Sequence, residues 1–152
     1  MTELATALLP TDRPRYLMGV GTPIDLVEAV RRGVDMFDCI IPTKMAQQGY
    51  AYTFEGLVRT TRQVYRLSDE PLDASCDCLV CKRYSRGYLQ HLMRGKHHLG
   101  SRMLSLHNVH HYQVLTWKMR DAILKGGYAQ AARELKDAIA TPKDLKALQA
   151  AG

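Results

Sequence analysis

Three of the four cysteines in this 152-residue chain fall within six positions, Cys76-Asp77-Cys78-Leu79-Val80-Cys81, and His107 follows downstream. Thiolates this dense, with an imidazole to join them, form a donor set for tetrahedral zinc. Cys₃His is a closed structural set that leaves no position for a substrate. The C-x-C-x₂-C turn can converge three sulfurs on one centre, but the fourth ligand must come from a separate element, which the metal then staples to the turn. On chemistry alone, His91, His97, His98, His110 and His111 compete with His107 for that role. A disulfide plus a free thiol is the alternative, and the composition is not that of a short secreted framework. One structural zinc per chain is therefore expected. The second chemically suggestive residue is Asp38, set in the apolar run Met36-Phe37-Asp38-Cys39-Ile40-Ile41. A carboxylate near the C-terminal end of a parallel strand points to the mouth of a barrel or sheet crevice, where such folds keep their chemistry. If partly desolvated, it can serve as nucleophile or general base; capping the following loop is the competing role. Cys39 reads as an inert buried thiol.

The elements that must position these groups are legible in outline. Arg15 to Gly21 reads as a buried strand. Thr22-Pro23 opens a helix, with Thr22 as N-cap and Pro23 at the first position, and Gly33 ends it. Val34 to Ile41 is a second apolar run. Strand, helix and strand with short connections make a βαβ unit with a right-handed crossover. Met1 to Pro14 reads as a loop or short helix and as the part most prone to disorder. Pro42 to Gly49 reads as a polar loop, and Tyr50 to Arg59 as a hairpin around Glu55-Gly56.

Arg59, Arg62 and Arg66, with Tyr65 among them, form a basic stretch able to grip phosphates and stack on a base, or simply a solvated surface strand. Ser68 to Ser75 is a loop into the cysteines. Beyond Cys81, Tyr84, Tyr88, Leu89, Leu92 and Met93 recur at helical spacing, and Gly95 to Gly100 breaks that pattern. A further helix is predicted from about Ser105 to Lys125, with Val109, Tyr112, Met119 and Ile123 on its buried face. Another spans Tyr128 to Ile139, and Thr141-Pro142 opens a polar tail.

Hydrophobic residues at 46% and charged residues at 24% fit a soluble globular chain. No run reaches the length of a membrane span, and no secretory signal pattern opens the chain, so a cytoplasmic location and no membrane partner are expected. A net charge of +6 makes a nucleic-acid partner plausible without establishing one.

At this point the residues carry a resemblance. Arg15-Tyr-Leu-Met-Gly-Val-Gly-Thr-Pro23, Gly33-Val-Asp-Met-Phe-Asp-Cys39, the C-x-C-x₂-C run and Leu106-His107-Asn108 closely resemble the bacterial tRNA-guanine transglycosylases, over residues 13 to 130. The resemblance implies an α/β fold: the last βαβ unit of a (β/α)8 TIM-type barrel, a zinc-binding subdomain and C-terminal helices. It divides the chain into an N-terminal extension (1–14), terminal barrel strands and helix (15–49), hairpin and zinc-binding subdomain (50–125), and C-terminal helix and tail (126–152). It implies Cys76, Cys78, Cys81 and His107 as zinc ligands. Asp38 becomes the nucleophile toward ribose C1′, and Met18 and Gly19 wall the base pocket. The implied activity is exchange of guanine for a 7-deazaguanine base in tRNA, by members that are usually homodimers with the zinc region near the contact.

Two departures qualify this. A complete barrel of this kind needs roughly 250 residues. By the resemblance, the second catalytic aspartate, the base-recognising aspartate and glutamine and a Gly-Leu pocket wall belong to a part outside this sequence. The chain is thus expected to be inactive alone and to need that barrel portion, or a full-length transglycosylase, as partner. Second, Pro42-Thr-Lys-Met-Ala-Gln-Gln-Gly49 replaces a P-T-R-x-A-R-x-G pattern. Lys44 and Gln47 stand where family members carry arginines that read anticodon-loop uridines. Lysine loses the planar fork and glutamine also loses the charge. Lys44, Gln47, Arg59 and Arg62 are the candidate RNA contacts. The readings are a transglycosylase portion, a non-catalytic zinc-stabilised RNA-binding subunit, a relative acting on DNA, or an unrelated zinc-stapled interaction domain.

Overall fold

A 27-residue helix is the beam on which the other elements are hung. The computed structural model describes residues 1–140. In chain order the elements are α1 (Thr2–Leu8), β1 (Tyr16–Leu17), α2 (Pro23–Arg31), β2 (Met36–Phe37), α3 (Ile41–Gln47), β3 (Tyr50–Thr53), β4 (Gly56–Arg59), a 3₁₀ turn (Gln63–Tyr65), α4 (Leu79–Arg83), α5 (Arg86–Arg94), α6 (His98–Leu124) and α7 (Tyr128–Ala140). Against α6 pack α2, α3, α4, α5, α7 and β3. Its inner face is written by Leu104, His107, Asn108, His111, Leu115 and Met119, all buried and, apart from the adjacent His107 and Asn108, spaced by three or four.

The βαβ unit is present: β1 and β2 run parallel, with Tyr16 opposite Met36 and Leu17 opposite Phe37. Thr22 caps α2 through a reciprocal box. Its Oγ1 accepts from the Asp25 backbone N–H, while the Asp25 carboxylate accepts from the Thr22 N–H at 2.8 Å, and Pro23 takes the first turn. The strands differ from expectation. Each has two residues rather than seven or eight, and neither is buried: Tyr16 and Met36 are half exposed. A parallel ladder is extended by neighbours on both edges and covered on both faces, and among the described residues this pair has no third strand.

Met1–Pro14, open between loop and short helix, contributes helix α1. Four further expectations change. Pro42–Gly49, read as a polar loop, is mostly α3; Pro42 lies in its first turn, where a missing N–H costs nothing, and Ala46 is fully buried. Helix α6 starts at His98 rather than near Ser105. Gly100 is an inner-face residue, not a breaker: a Cβ there would meet Met93 Sδ at 2.8 Å and Leu92 Cβ at 3.0 Å, so the glycine lets α5 and α6 approach. Of the four residues assigned to that helix's buried face, Tyr112 and Met119 are buried, whereas Val109 and Ile123 are exposed. The hairpin β3–β4 and helix α7 stand where expected. The polar tail at Thr141-Pro142 lies outside the described residues.

The interior forms two clusters. One joins Ala51, Val58, Leu72, Val80, Leu89 and Leu104; the other joins Leu26, Val27, Tyr52, Tyr112, Leu115 and Met119. Asn108 links the elements between them. Fully buried on α6, it accepts the Tyr52 N–H at 2.9 Å and donates to Pro42 O at 2.9 Å and Tyr50 O at 3.0 Å. Cutting it to alanine orphans three backbone groups in a dry site, at about 1 kcal/mol or more each. Asn108→Ala is expected to lower unfolding stability by on the order of 3 kcal/mol, read as a lower urea midpoint with unchanged slope. An unchanged midpoint would mean that the network contributes nothing.

Candidate metal centre and catalytic carboxylate

The three cysteines arrive by two routes. Cys76 closes the loop after Leu72, its N–H bonded to Asp73 O. Cys78 is the N-cap of α4, its Sγ accepting from the Cys81 N–H, and Cys81 lies one turn later on that helix. His107 comes from α6 across the interface. Its Nδ1 lies 3.7, 3.6 and 3.3 Å from Sγ of Cys76, Cys78 and Cys81, and the four donor atoms all fall within 4.8 Å of one another. Tetrahedral zinc, with Zn–S of about 2.3 Å and Zn–N of about 2.0 Å, separates sulfur from nitrogen by about 3.5 Å. The residues fit a four-coordinate ion.

His107 Nε2 donates to the Tyr52 carbonyl at 2.8 Å, which fixes the tautomer and aims the Nδ1 lone pair at the sulfurs. The thiols also want a cation. Hydrogen bonds from Cys76 and Cys81 push the Cys78 thiol's pKa down, whereas those with Cys76 and Cys78 push that of Cys81 up. The cluster cannot carry three thiolates unless a positive charge offsets them.

The competing histidines are accounted for. His110 Nε2 meets Asp77 Oδ1 at 2.7 Å on the rim. His111 is buried with its ring 4.4 Å from that of Phe54, and burial lowers its pKa to about 3, so it is neutral. His91 and His97 stack on each other, 6.2 Å between centroids, and His98 is exposed at the start of α6.

Asp38 follows β2 immediately and is exposed rather than partly desolvated. What tunes it is hydrogen bonding, not burial. The Tyr16 hydroxyl donates to Oδ1 at 2.7 Å and the Gly19 N–H donates to the same atom at 3.1 Å. These bonds, the tyrosine's first, hold its pKa below the ordinary carboxylate value. Gly19 sits at φ +71°, a left-handed conformation that turns its N–H inward and that a side chain would strain. Met18, 71% exposed, stands beside it. Tyr16 is the residue the sequence reading missed. A hydroxyl in an otherwise apolar run was the available signal, but only the parallel register places it against Asp38. Cys39 is half-buried, its Sγ 3.5 Å from Gly21 O.

The remaining candidates are spread out. Lys44 and Gln47 lie one turn apart on α3 and are both exposed. Arg59, at the end of β4, holds its guanidinium 5.9 Å from the Tyr50 ring centroid, and Arg62 precedes the 3₁₀ turn. Tyr65 is buried, with Arg86 over its ring at 5.0 Å, so it cannot stack on a base.

The model of the queuine tRNA-ribosyltransferase family matches residues 1–141. The chain belongs to this family. It is 53% identical over 118 residues to the queuine tRNA-ribosyltransferase of Thioalkalivibrio sulfidiphilus, a match covering 78% of this chain and 32% of that protein. With the Sphingopyxis alaskensis queuine tRNA-ribosyltransferase it shares 53% over 127 residues, covering 84% and 34%; with that of Nitrosomonas europaea, 50% over 126, covering 83% and 34%. The chain thus spans about a third of the length of these relatives within the queuine tRNA-ribosyltransferase family. Among the described residues no helix is long and apolar enough to cross a membrane.

Proposed function

We propose that this chain is the C-terminal portion of a transglycosylase that exchanges guanine for a 7-deazaguanine base in tRNA, with Asp38 as nucleophile. The observation that carries the reading is the state of that carboxylate: exposed at the end of a parallel strand, held ionised, and tied through Oδ1 alone by Tyr16 and Gly19. Oδ2 stands outside that pair of bonds, available to an incoming carbon. It attacks ribose C1′, and the C1′–N9 bond breaks with its electron pair leaving on guanine. The incoming base then displaces the carboxylate through its own nitrogen and loses that nitrogen's proton. Two inversions preserve the configuration, as in retaining glycoside hydrolysis.

On this reading the barrel portion represented in the relatives' remaining length supplies the second acid and base that move those protons, and β1 and β2 are the last strands of that TIM-type barrel. Met18 and Gly19 wall the base, and Lys44, Gln47, Arg59 and Arg62 face the nucleic acid. Bound by Cys76, Cys78, Cys81 and His107, one zinc per chain supplies no bond-making chemistry; it fixes α4 to α6.

Mixing the purified chain with a barrel portion and assaying labelled guanine exchange into tRNA tests the reading. Absence of exchange with every barrel portion, while the chain still binds tRNA or a full-length transglycosylase, would favour the accessory RNA-binding role. Lys44 and Gln47, exposed where the family pattern has arginines, favour a second reading in which the polymer is DNA. Exchange into DNA but not tRNA would select it.

Tyr16→Phe removes the largest cause of the Asp38 shift. A lowered pKa means the ionised nucleophile persists until pH falls through that lowered value. Without the tyrosine the pKa returns toward the ordinary carboxylate value, so the acid limb of the rate moves to higher pH. At neutral pH, where Asp38 is charged either way, the loss of orientation is expected to slow exchange by about tenfold. A pH–rate profile with an unmoved acid limb would exclude the role.

A further inference from the structure

The turn between β1 and α2, residues 18–21, carries what the proposed mechanism needs from this side of the carboxylate. Gly19 donates its N–H to Asp38 Oδ1 at 3.1 Å, and Met18 is exposed next to it. Two positions later the chain turns inward at Gly21, which is buried. A Cβ there would meet Asp25 Oδ2 at 2.7 Å and Asp25 Cβ at 2.8 Å, so on one side Gly21 is pressed against the first turn of α2. On the other, its carbonyl accepts from the Tyr112 hydroxyl at 3.1 Å, across 91 positions of sequence. Cys39 Sγ lies 3.5 Å from the same oxygen, but a thiol is a weak donor, so the phenol is the stronger tie. Tyr112 stands on the buried face of α6, five positions after His107. Its ring meets that of Tyr52 edge-on, 5.6 Å between centroids, and the Tyr52 carbonyl is the group that accepts from His107 Nε2. Burial pushes the Tyr112 pKa up, so the hydroxyl keeps its proton and remains a donor.

We propose that Tyr112 is a positioning residue for the transfer reaction: from α6 its hydroxyl grips Gly21 O, and through the 18–21 turn it sets the Gly19 N–H and the attacking carboxylate of Asp38. The inference rests on the transglycosylase reading and adds to it a residue outside the reacting atoms. A single residue separates Gly19 from Gly21, so a displaced Gly21 carbonyl carries the Gly19 N–H with it. A nucleophile misplaced by about 1 Å costs up to about 10²-fold in rate, so a bond that fixes the turn has kinetic weight. Asp38, Cys39 and Tyr112 also line one depression of about 330 Å³, so the phenol borders the same space as the nucleophile. The titratable groups facing Asp38 are Tyr16 from β1 and, around that depression, Asp35, Cys39 and Tyr112. Tyr128 supplies a matched comparison. Its hydroxyl also crosses from the C-terminal helices to α2, donating to Val27 O at 2.7 Å, but the 18–21 turn takes no part in that bond.

The test compares Tyr112→Phe, which keeps the ring and loses the donor, with the parental sequence, both as the 152-residue chain and complemented by a barrel portion. In the chain, NMR should show the Gly19 amide shifted and the Asp38 carboxyl titrating at higher pH, because a bond that holds it ionised has been loosened. In the complemented enzyme, kcat is expected to fall about tenfold with KM for tRNA unchanged. Replacing Tyr112 by 4-aminophenylalanine, which restores a donor, should recover both the titration and kcat. Tyr128→Phe should lower the unfolding midpoint and leave the Asp38 titration and kcat at parental values. Parental titration and kcat in Tyr112→Phe would overturn the proposal. Equal changes in the two phenylalanine variants would overturn it too, since they would report a loosened core. An unfolded Tyr112→Phe, or a 4-aminophenylalanine form that folds without recovering kcat, would likewise overturn it. Exchange absent from the parental chain with every barrel portion, while the Asp38 titration still follows the hydroxyl, would sink the transglycosylase reading and support the hold on the carboxylate.

Discussion

Asp38→Asn is expected to abolish guanine exchange in the complemented enzyme, by at least about 10³-fold, and to eliminate any covalent adduct between protein and tRNA on a denaturing gel. Asparagine is the informative substitution because it keeps the shape and leaves an oxygen to accept from Tyr16 and Gly19. The local fold is preserved while the negative charge is removed. A carboxylate stabilises an oxocarbenium-like centre by charge and closes a bond to it; an amide does neither. Asp38 is exposed, so the change leaves no buried orphan and the unfolding midpoint should hardly move. That separates a catalytic defect from a folding defect. If the variant exchanges guanine at the parental rate, the nucleophile is another residue. If it loses exchange but still forms the adduct, the carboxylate acts only electrostatically.

The two centres were legible to different depths, for physical reasons. The thiolate cluster is local: three sulfurs in six residues announce a metal whatever the tertiary fold. Its fourth ligand is not local. By chemistry the six histidines were equivalent, and only the resemblance selected His107. In the structure, α6's inner face and the Tyr52 carbonyl aim that one ring at the sulfurs. Asp38 was visible as a polar residue in an apolar run, but its environment was misjudged. The desolvation expected of it presupposes strands on both sides of β2, whereas among the described residues β1 alone pairs with it. Its holder, Tyr16, acts across 22 positions and depends on the β1–β2 register, which composition does not encode. The misreading of Pro42–Gly49 as loop and of Gly100 as a breaker has one cause. Proline and glycine are punctuation only by default: the first is harmless in an opening turn, and the second is useful where two helices touch. Tyr65 failed as a stacking platform because an aromatic between arginines carries no sign of which way its ring faces.

Removing the metal is expected to have the largest effect on the fold. The chain as purified should hold about one zinc, and a strong chelator should melt the packing of α4 and α5 onto α6, seen as lost helicity and a non-cooperative unfolding curve. Apparent binding free energies of structural zinc are about 10–16 kcal/mol, more than a domain of this size has to spare. The ligands join segments 26 to 31 residues apart, so no local helix propensity can replace them. His107→Ala should reproduce the effect twice over, because it deletes a ligand and also orphans the Tyr52 carbonyl inside the core. His110→Ala is the control. That ring hydrogen-bonds Asp77 on the rim and lies outside the four-ligand cluster, so metal content and cooperativity should be retained. Equal metal loss in the two variants would place the fourth ligand elsewhere on α6. Full metal retention in His107→Ala would leave three sulfurs and water as the binding set, and the brace between α4 and α6 would then have to be packing alone. In that case the exchange activity of a complemented enzyme should survive chelation, whereas the zinc-braced arrangement predicts that it is lost together with helicity, at the same chelator concentration.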